Sequence, residues 1–134
     1  MNKCIVFYES WQMDCCGTEF QIGDTVEWLV CNSYPLITPA DVGKIDYCYE
    51  AHDSDWEKIF MLEGIVERIQ ILYESHAPSK DNPKLLVPVS GKLVESNCAK
   101  GFEASVDNMR PGGYIVDIIN YSIRPAKKDE VTFD

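Results

Sequence analysis

Apolar and polar positions alternate along several short runs of this chain, which is the pattern of β-strands. The first run, KCIVFYESW at residues 3–11, carries apolar side chains on both of its faces. We therefore expect a strand that is covered on both sides or lies in the wall of a barrel. A second run starts near Phe20 and leads into a strand in which Val26, Trp28 and Val30 share one face.

The alternation stops between these two runs, at residues 14–18. Gly17 can take backbone angles that other residues avoid, so the sequence predicts a turn there. Residues 23–24, Gly-Asp, precede the second strand and predict a hairpin-like lead into it. The adjacent cysteines Cys15 and Cys16 consequently lie at a predicted chain reversal.

The middle of the chain contains one loop, one strand and one ambiguous segment. Prolines and a glycine between residues 32 and 43 predict a loop with at most one helical turn, and residues 45–51 predict a strand. Residues 57–74 fit a helical stripe, but from Leu62 onward they also fit an isoleucine-rich strand. We predict the strand, because Gly64 suits a bent strand and costs about 1 kcal/mol relative to alanine in a helix. The helix remains the alternative.

The second half of the chain is more polar and more interrupted. Residues 76–88 predict an exposed loop, and residues 85–87 and 92–95 predict two short strands. The sequence Pro-Gly-Gly at residues 111–113 predicts a turn. A long final strand follows at residues 114–123.

Short strands, glycine and proline turns and little helix predict an all-β fold that can contain one short helix. The motif Phe-x-x-Gly-Asp-x-Val-x-Trp at residues 20–28 is typical of small barrels, in which glycine permits the bends that close the sheet. We predict a small closed or partly open barrel, SH3-like or OB-like. A chain of 134 residues is expected to form one domain, at residues 1–125, followed by a frayed tail at 126–134.

Composition excludes several classes of partner. A net charge of −10 repels nucleic-acid backbones and anionic membrane surfaces, and the sequence has no basic patch to offset it. No apolar run approaches the roughly 20 residues that span a bilayer, and the N-terminus does not resemble an export signal. Six cysteines embedded in apolar segments indicate reduced thiols, so we expect a cytoplasmic protein that is a monomer or a small homo-oligomer.

The run Tyr8-x-x-Trp-Gln-Met-x-Cys-Cys-Gly-Thr-x-Phe-x-x-Gly-Asp-x-Val-x-Trp resembles the N-terminal signature of a family of small bacterial proteins of unknown function. Residues 49–52, Tyr-Glu-Ala-His, and residues 64–69 also resemble the middle of that family. The resemblance implies a bacterial and cytoplasmic protein. It implies no catalytic residues, because no activity is established for the family.

Cys15, Cys16 and His52 form one candidate site, because sulfur and nitrogen ligands of this kind bind zinc in tetrahedral geometry. Cys48 or Asp14 could supply the fourth ligand. The sequence has no Cys-x-x-Cys pair, and adjacent residues of a strand point to opposite faces. The two cysteines therefore share one metal only if the backbone turns between them. Zinc is the candidate cofactor, and two structural thiols are the simpler interpretation.

The same residues permit a thiol-dependent enzyme, with Cys15 or Cys16 as nucleophile, His52 as base and Asp53 as its partner. The acidic side chains that flank the cysteine pair oppose this interpretation, because negative charge disfavours the thiolate. A disulfide between the adjacent cysteines is a third alternative. It would strain the intervening peptide and act as a redox switch.

Aromatic residues concentrate in the first half of the chain, and four of them predict a binding face: Tyr8, Trp11, Phe20 and Trp28. Small barrels often bind a partner on one open face. The leading hypothesis is a non-enzymatic module that binds a protein or a small molecule through this face, near Cys15 and Cys16, without a cofactor. The alternative is the metal-binding or thiol-dependent enzyme centred on those cysteines and His52.

Overall fold

The structure is a computed structural model that describes residues 2–51 and 55–131, except for the side chains of residues 14–16. Within these residues most of the chain is extended, and its secondary structure is β1 (Lys3–Glu9), α1 (Ser10–Cys16), β2 (Phe20–Gln21), β3 (Thr25–Asn32), β4 (Tyr47–Tyr49), β5 (Phe60–Pro78), β6 (Leu86–Ser96), β7 (Cys98–Ala99) and β8 (Arg110–Pro125), with 3₁₀ turns at Trp56–Lys58 and Lys128–Glu130. The all-β prediction, with one short helix, is confirmed. No helix in the described ranges is long and apolar enough to cross a membrane.

Five strands close into a ring in the order β3, β4, β1, β8 and β5, because β5 pairs with both β8 and β3. The β1–β4 pair is parallel, and the other pairs of the ring are antiparallel. Strand β6 pairs with the second half of β5 and lies outside the ring. The ring is not a regular barrel, since β4 contributes only three residues while β5 contributes 19.

The main core fills the inside of the ring, as the alternation in the sequence predicts. In β1, Cys4, Val6 and Tyr8 point inward and are almost fully buried. Strand β8 lies antiparallel to β1 and contributes Val116 and Ile118 to the same core. Two-residue periodicity therefore places the side chains of neighbouring strands on one face.

A smaller cluster covers the outer face of the same strands. Phe7, Leu72 and Ile115 are buried there, although their neighbours along each strand point into the ring. The loop between β3 and β4 packs over them with apolar side chains that include Leu36 and Val42. The predicted loop at residues 32–43 is thus present, and it explains why the first strand is apolar on both faces.

The ambiguous segment is strand β5, so the prediction of a strand from about Leu62 is confirmed. Its pairing with β8 shifts register between Glu63 and Ile65 and again between Val66 and Arg68. Each β-bulge adds a residue to one strand and interrupts strict alternation. The resulting uneven spacing of buried positions resembles a helical stripe in the sequence.

The chain reversal around the cysteine pair differs from the prediction. The first strand ends at Glu9, and the predicted turn is the end of helix α1, whose last backbone bond runs from the Gly17 N–H to the Met13 carbonyl at 3.2 Å. Glycine is required at position 17, because a Cβ there would overlap the Tyr8 hydroxyl. The helix begins at Ser10 and buries the Gln12 amide in the core, which the alternation of apolar residues does not reveal.

Two of three predicted interruptions in the second half of the chain are wrong, and the third, the exposed loop predicted at residues 76–88, is present but shorter, at residues 79–85. Strand β5 continues to Pro78, and β6 is one strand where two were predicted. The Pro-Gly-Gly sequence lies inside β8, at a register shift opposite Leu72 and Tyr73. A bulge accommodates glycine and proline without ending the strand.

The predicted tail also differs, because the chain remains packed up to Val131. Ala126 and Val131 are buried against Ile59, and the Ala126 N–H donates to the Ile59 carbonyl at 3.0 Å. The guanidinium of Arg124 holds the Glu130 carboxylate with two hydrogen bonds of 2.8 and 2.6 Å. Residues 132–134 lie outside the described ranges.

Candidate ligand-binding site

Five aromatic rings meet at one end of the core, and each belongs to a different strand: Tyr8, Phe20, Trp28, Tyr49 and Tyr114. Tyr8 lies at the centre. Its ring stacks on Tyr49 with 3.8 Å between centroids and meets Trp28 edge to face at 5.3 Å. Such arrangements stabilise aromatic pairs beyond the area they bury.

The short strand β2 places Phe20 over this end of the ring. It pairs with β7 in a separate two-stranded sheet, in which Phe20 lies opposite the fully buried Ala99. The Phe20 ring packs against Trp28 at 4.9 Å between centroids. The β2–β7 sheet therefore closes the end of the core with an aromatic side chain.

Gln12 of helix α1 fixes the position of β4. Its side-chain nitrogen donates to the Tyr49 carbonyl at 3.0 Å, and its side-chain oxygen accepts from the Ala51 N–H at 3.2 Å. Gln12 is fully buried, so these bonds replace water at both ends of the amide. The helix that carries the cysteine pair is thus attached to the strand that carries Tyr49.

The Tyr114 hydroxyl connects the segment that follows β7 to the aromatic cluster. It accepts a hydrogen bond from the Gly101 N–H at 2.9 Å and donates one to the Glu103 carboxylate. These contacts hold the segment that follows β7. A buried tyrosine with a satisfied hydroxyl is held in one position, so Tyr114 supports the rings of Tyr8 and Phe20, against which it packs.

A cavity of about 360 Å³ adjoins the cluster. We call it the aromatic cavity; its lining consists of Tyr8, Phe20, Val26, Trp28 and Tyr49 with the polar residues Thr18, Glu19, Asp24, Thr25 and Glu27. The aromatic side chains are buried, whereas Glu19 and Glu27 are exposed. Among the described residues that line it, three are carboxylates and none is a lysine or arginine. The aromatic cavity therefore combines ring surfaces with a negative potential.

Three of the four predicted binding residues line this cavity: Tyr8, Phe20 and Trp28. Trp11 does not, because it lies on α1 with its side chain half exposed and its indole N–H donating to Glu9 at 2.7 Å. Tyr49 and the carboxylates were absent from the predicted face. The spacing Tyr-Cys-Tyr at residues 47–49 signals an inward aromatic residue, but only the fold brings it to Tyr8.

The predicted zinc or thiol site lies outside the described residues, since it depends on the side chains of Cys15 and Cys16 and on His52. In the described ranges, no group of three or more His, Cys, Asp or Glu residues is placed to hold a metal ion. Two of the described thiols, Cys4 and Cys48, are buried. Burial raises the pKa of Cys4 to about 12, with Asp46 and Asp117 adding to the effect, and burial also raises the pKa of Cys48. Both are therefore poor nucleophiles at neutral pH.

Comparison with known proteins places the chain in a family. Residues 2–120 match the family model of DUF6578, which is described as a family of unknown function. The chain belongs to this family. The match covers every residue that lines the aromatic cavity. No curated protein and no solved structure matches the chain. The expected membership of a family without a known function is confirmed, and the bacterial origin stays a prediction.

Proposed function

We propose that this protein is a non-enzymatic binding module whose aromatic cavity takes an organic ammonium group. The group could belong to a small methylated amine or to a lysine side chain of a partner protein. One observation carries the proposal: four aromatic side chains and three carboxylates line the same cavity, with no basic residue among its described lining. That combination favours a ligand that is both positively charged and apolar at its surface.

The rings supply the first attraction. The face of an aromatic ring carries negative electrostatic potential, and a cation within about 6 Å of the ring centroid is attracted to it. Tyrosine and tryptophan are effective in this role, and the cavity has Tyr8, Tyr49 and Trp28. Attraction of this kind is strongest for cations that lose little hydration on binding, which describes alkylated ammonium groups.

The carboxylates supply the second attraction. Glu19 and Glu27 are exposed at the cavity, so they attract a cation before it reaches the rings. Asp24 is partly buried, and its Oδ2 accepts the Gln21 N–H at 3.0 Å, which orients the carboxylate. The net charge of −10 adds a long-range field that favours the approach of cations.

The size of the cavity fits this ligand class. Its volume of about 360 Å³ is at the lower end of the range of small-molecule sites, about 300–1,000 Å³. A tetramethylammonium group or the end of a methylated lysine fits this space. Large cofactors do not.

The test is a titration of tryptophan fluorescence with tetramethylammonium, using tert-butanol as a neutral molecule of similar shape. We expect saturable binding of the cation, and weaker binding at high salt because the charges are screened. The neutral molecule should not saturate. If both bind equally, or neither binds, the proposal is wrong.

A matched pair of variants locates the binding. Glu27 lies in the aromatic cavity, whereas Glu63 is its cross-strand neighbour on β5 and does not line it. Glu27→Gln should weaken cation binding by about threefold to tenfold, as expected for loss of one partly screened charge. Glu63→Gln removes the same charge one strand away and should leave the affinity within about twofold. Equal effects would mean that only the overall charge matters.

A further inference from the structure

A second cavity, of about 290 Å³, lies on the outer face of the ring. We call it the outer cleft; it is lined by Phe7, Glu9, residues 34–38, Leu72, Glu74 and Gly112. Phe7 and Leu72 belong to the small outer cluster, whereas Tyr8 belongs to the core inside the ring. The outer cleft and the aromatic cavity therefore occupy opposite faces of the sheet and share no lining residue.

Gly112 of β8 lines the outer cleft. A Cβ at Gly112 would lie only 2.8 Å from Oε1 of Glu74. The absence of a side chain thus lets this carboxylate lie against the backbone of β8. On the opposite side of β8, Glu9 is the cross-strand partner of Gly113. Glycine at these positions therefore lets the Glu74 carboxylate and the Phe7 ring pack directly against the backbone of β8.

The two glutamates differ in their partners. Oε1 of Glu9 accepts from the Tyr34 hydroxyl at 2.8 Å, and Oε2 accepts from the Trp11 indole at 2.7 Å. Burial and the hydrogen bond to Glu9 raise the pKa of Tyr34, so the phenol remains a donor at neutral pH. Glu9 is consequently fixed in position with both oxygens occupied.

The Glu74 carboxylate, in contrast, does not have a hydrogen-bond donor for each oxygen. Its Oε2 is buried and has no hydrogen-bond partner among the described residues. Arg110 is its cross-strand neighbour on β8 but makes no ion pair with it in the described part of the chain. A buried carboxylate oxygen without a donor is unfavourable, and a ligand that supplies one removes that cost. The terminal torsion of glutamate is broad, so either oxygen can turn toward the cleft.

We propose that the outer cleft binds an alkylguanidinium group. A guanidinium is planar, weakly hydrated and presents a fork of N–H donors that matches a carboxylate. Glu74 receives this fork, Glu9 adds a second negative charge, and Leu36, Ile37 and Leu72 contact the alkyl chain. The group belongs either to a free small molecule or to an arginine side chain of a partner.

The indole N–H signals of an ¹⁵N NMR spectrum test this site directly. The chain has three tryptophans, and the Trp11 indole reports on the cleft because it bonds to Glu9, whereas Trp28 reports on the aromatic cavity. Titration with ethylguanidinium should move the Trp11 signal in a saturable way and move it more than equal ethylammonium does. No shift at Trp11, or equal shifts with both cations, overturns the proposal.

Two variants and one control test whether the shift of the Trp11 signal comes from binding in the outer cleft. Glu74→Gln keeps the shape of the side chain and should weaken binding about tenfold or more, as expected for loss of a charged hydrogen bond. Ile37 is 84% exposed, so Ile37→Ser leaves the core intact and should weaken binding about threefold. Glu63→Gln, on the same strand but away from the cleft, should have no effect. Unchanged binding in both cleft variants contradicts the proposal.

A peptide probe distinguishes an arginine side chain from a free guanidinium compound as the source of the group. A Gly-Arg-Gly amide that binds about tenfold more tightly than ethylguanidinium supports an arginine side chain of a protein partner. Equal binding supports a free guanidinium compound. Both outcomes require the same cleft, and neither depends on whether the aromatic cavity binds ammonium groups.

Discussion

Tyr8 and Tyr49 stack face to face, with ring centroids 3.8 Å apart and planes within 13° of parallel. They extend the register of the one parallel pair of the ring, in which Val6 and Phe7 lie beside Tyr47 and Cys48. Strand β4 has only three residues, so its backbone bonds alone hold it weakly. The stack and the Gln12 amide therefore position β4, and with it one wall of the aromatic cavity.

Trp28→Ala and Trp11→Ala should have very different effects on stability. Trp28 is 7% exposed and contacts three other rings, whereas Trp11 is 51% exposed. We expect the free energy of unfolding to fall by about 3–5 kcal/mol for Trp28→Ala and by less than about 1 kcal/mol for Trp11→Ala. Urea denaturation measures both. Similar losses would mean that the aromatic cluster is not the core that the structure shows.

Gln12→Met should destabilise the protein although it adds an apolar side chain to an apolar environment. The change leaves the Tyr49 carbonyl and the Ala51 N–H without the bonds that Gln12 makes. Each unsatisfied buried group costs about 1–3 kcal/mol, so we expect a loss of about 2–4 kcal/mol in the free energy of unfolding. The exposed Gln21 offers a matched control, Gln21→Met, which should change it by less than about 0.5 kcal/mol. A neutral or stabilising Gln12→Met would contradict this role.

Two-residue alternation identified the strands whose inner face is buried, because burial on one face selects every second residue. It predicted β1, β3 and the strand character of β5. It did not predict that β6 is continuous or that β5 and β8 contain β-bulges. Glycine and proline occur in turns and also at bulges within strands, so Gly91 and the Pro-Gly-Gly sequence alone do not distinguish the two. Helix α1 was missed because the buried Gln12 amide, which bonds to Tyr49 and Ala51, leaves no mark in the alternation of apolar residues.

The sequence predicts aromatic residues of the candidate site but does not predict its charged residues. Aromatic residues at inward positions, such as Tyr8 and Trp28, are expected to meet in the core of a small sheet. Glu19, Asp24 and Glu27 look like ordinary solvated charges in the sequence, and only the three-dimensional fold places them around the same cavity. Trp11 does not join the other rings, because the helix that begins at Ser10 carries it and leaves its side chain half exposed.

Cysteine alkylation should follow burial and thiol pKa. The pKa of Cys4 is raised to about 12 by burial and by nearby carboxylates, and burial raises the pKa of Cys48. Because the thiolate is the reactive species, both should react with iodoacetamide at pH 8 much more slowly than the partly exposed Cys31 and Cys98. Mass spectrometry of the native protein over time gives the order, and denatured protein is the control. Early modification of Cys4 would contradict the buried position.

The Arg124–Glu130 pair should give the C-terminal segment a defined pH dependence. Hydrogen bonds from Arg124 and from the Lys127 N–H lower the pKa of Glu130 from 4.5 to about 2. Because the pKa is lower in the folded state, the stabilisation is complete above about pH 4.5 and is lost as the pH falls toward 2.

Urea midpoints of the wild type and Glu130→Gln measure this effect. The wild type should be more stable from pH 7 to 5, and the difference should shrink between pH 4.5 and 2. Asp129→Asn removes one charge at the exposed neighbouring position and is the control. A difference between wild type and Glu130→Gln that stays constant down to pH 2 would show that the ion pair does not form.

Isotope-filtered NOE spectra of the protein with tetramethylammonium test most directly whether the aromatic cavity binds an organic cation. Binding there predicts contacts from the N-methyl protons to ring protons of Trp28 and Phe20, because both rings line the cavity. It also predicts that these contacts weaken in Glu27→Gln and persist in Glu63→Gln. Methyl contacts to Trp11 alone, or no contact to any ring of the cavity at saturating cation, would contradict the account.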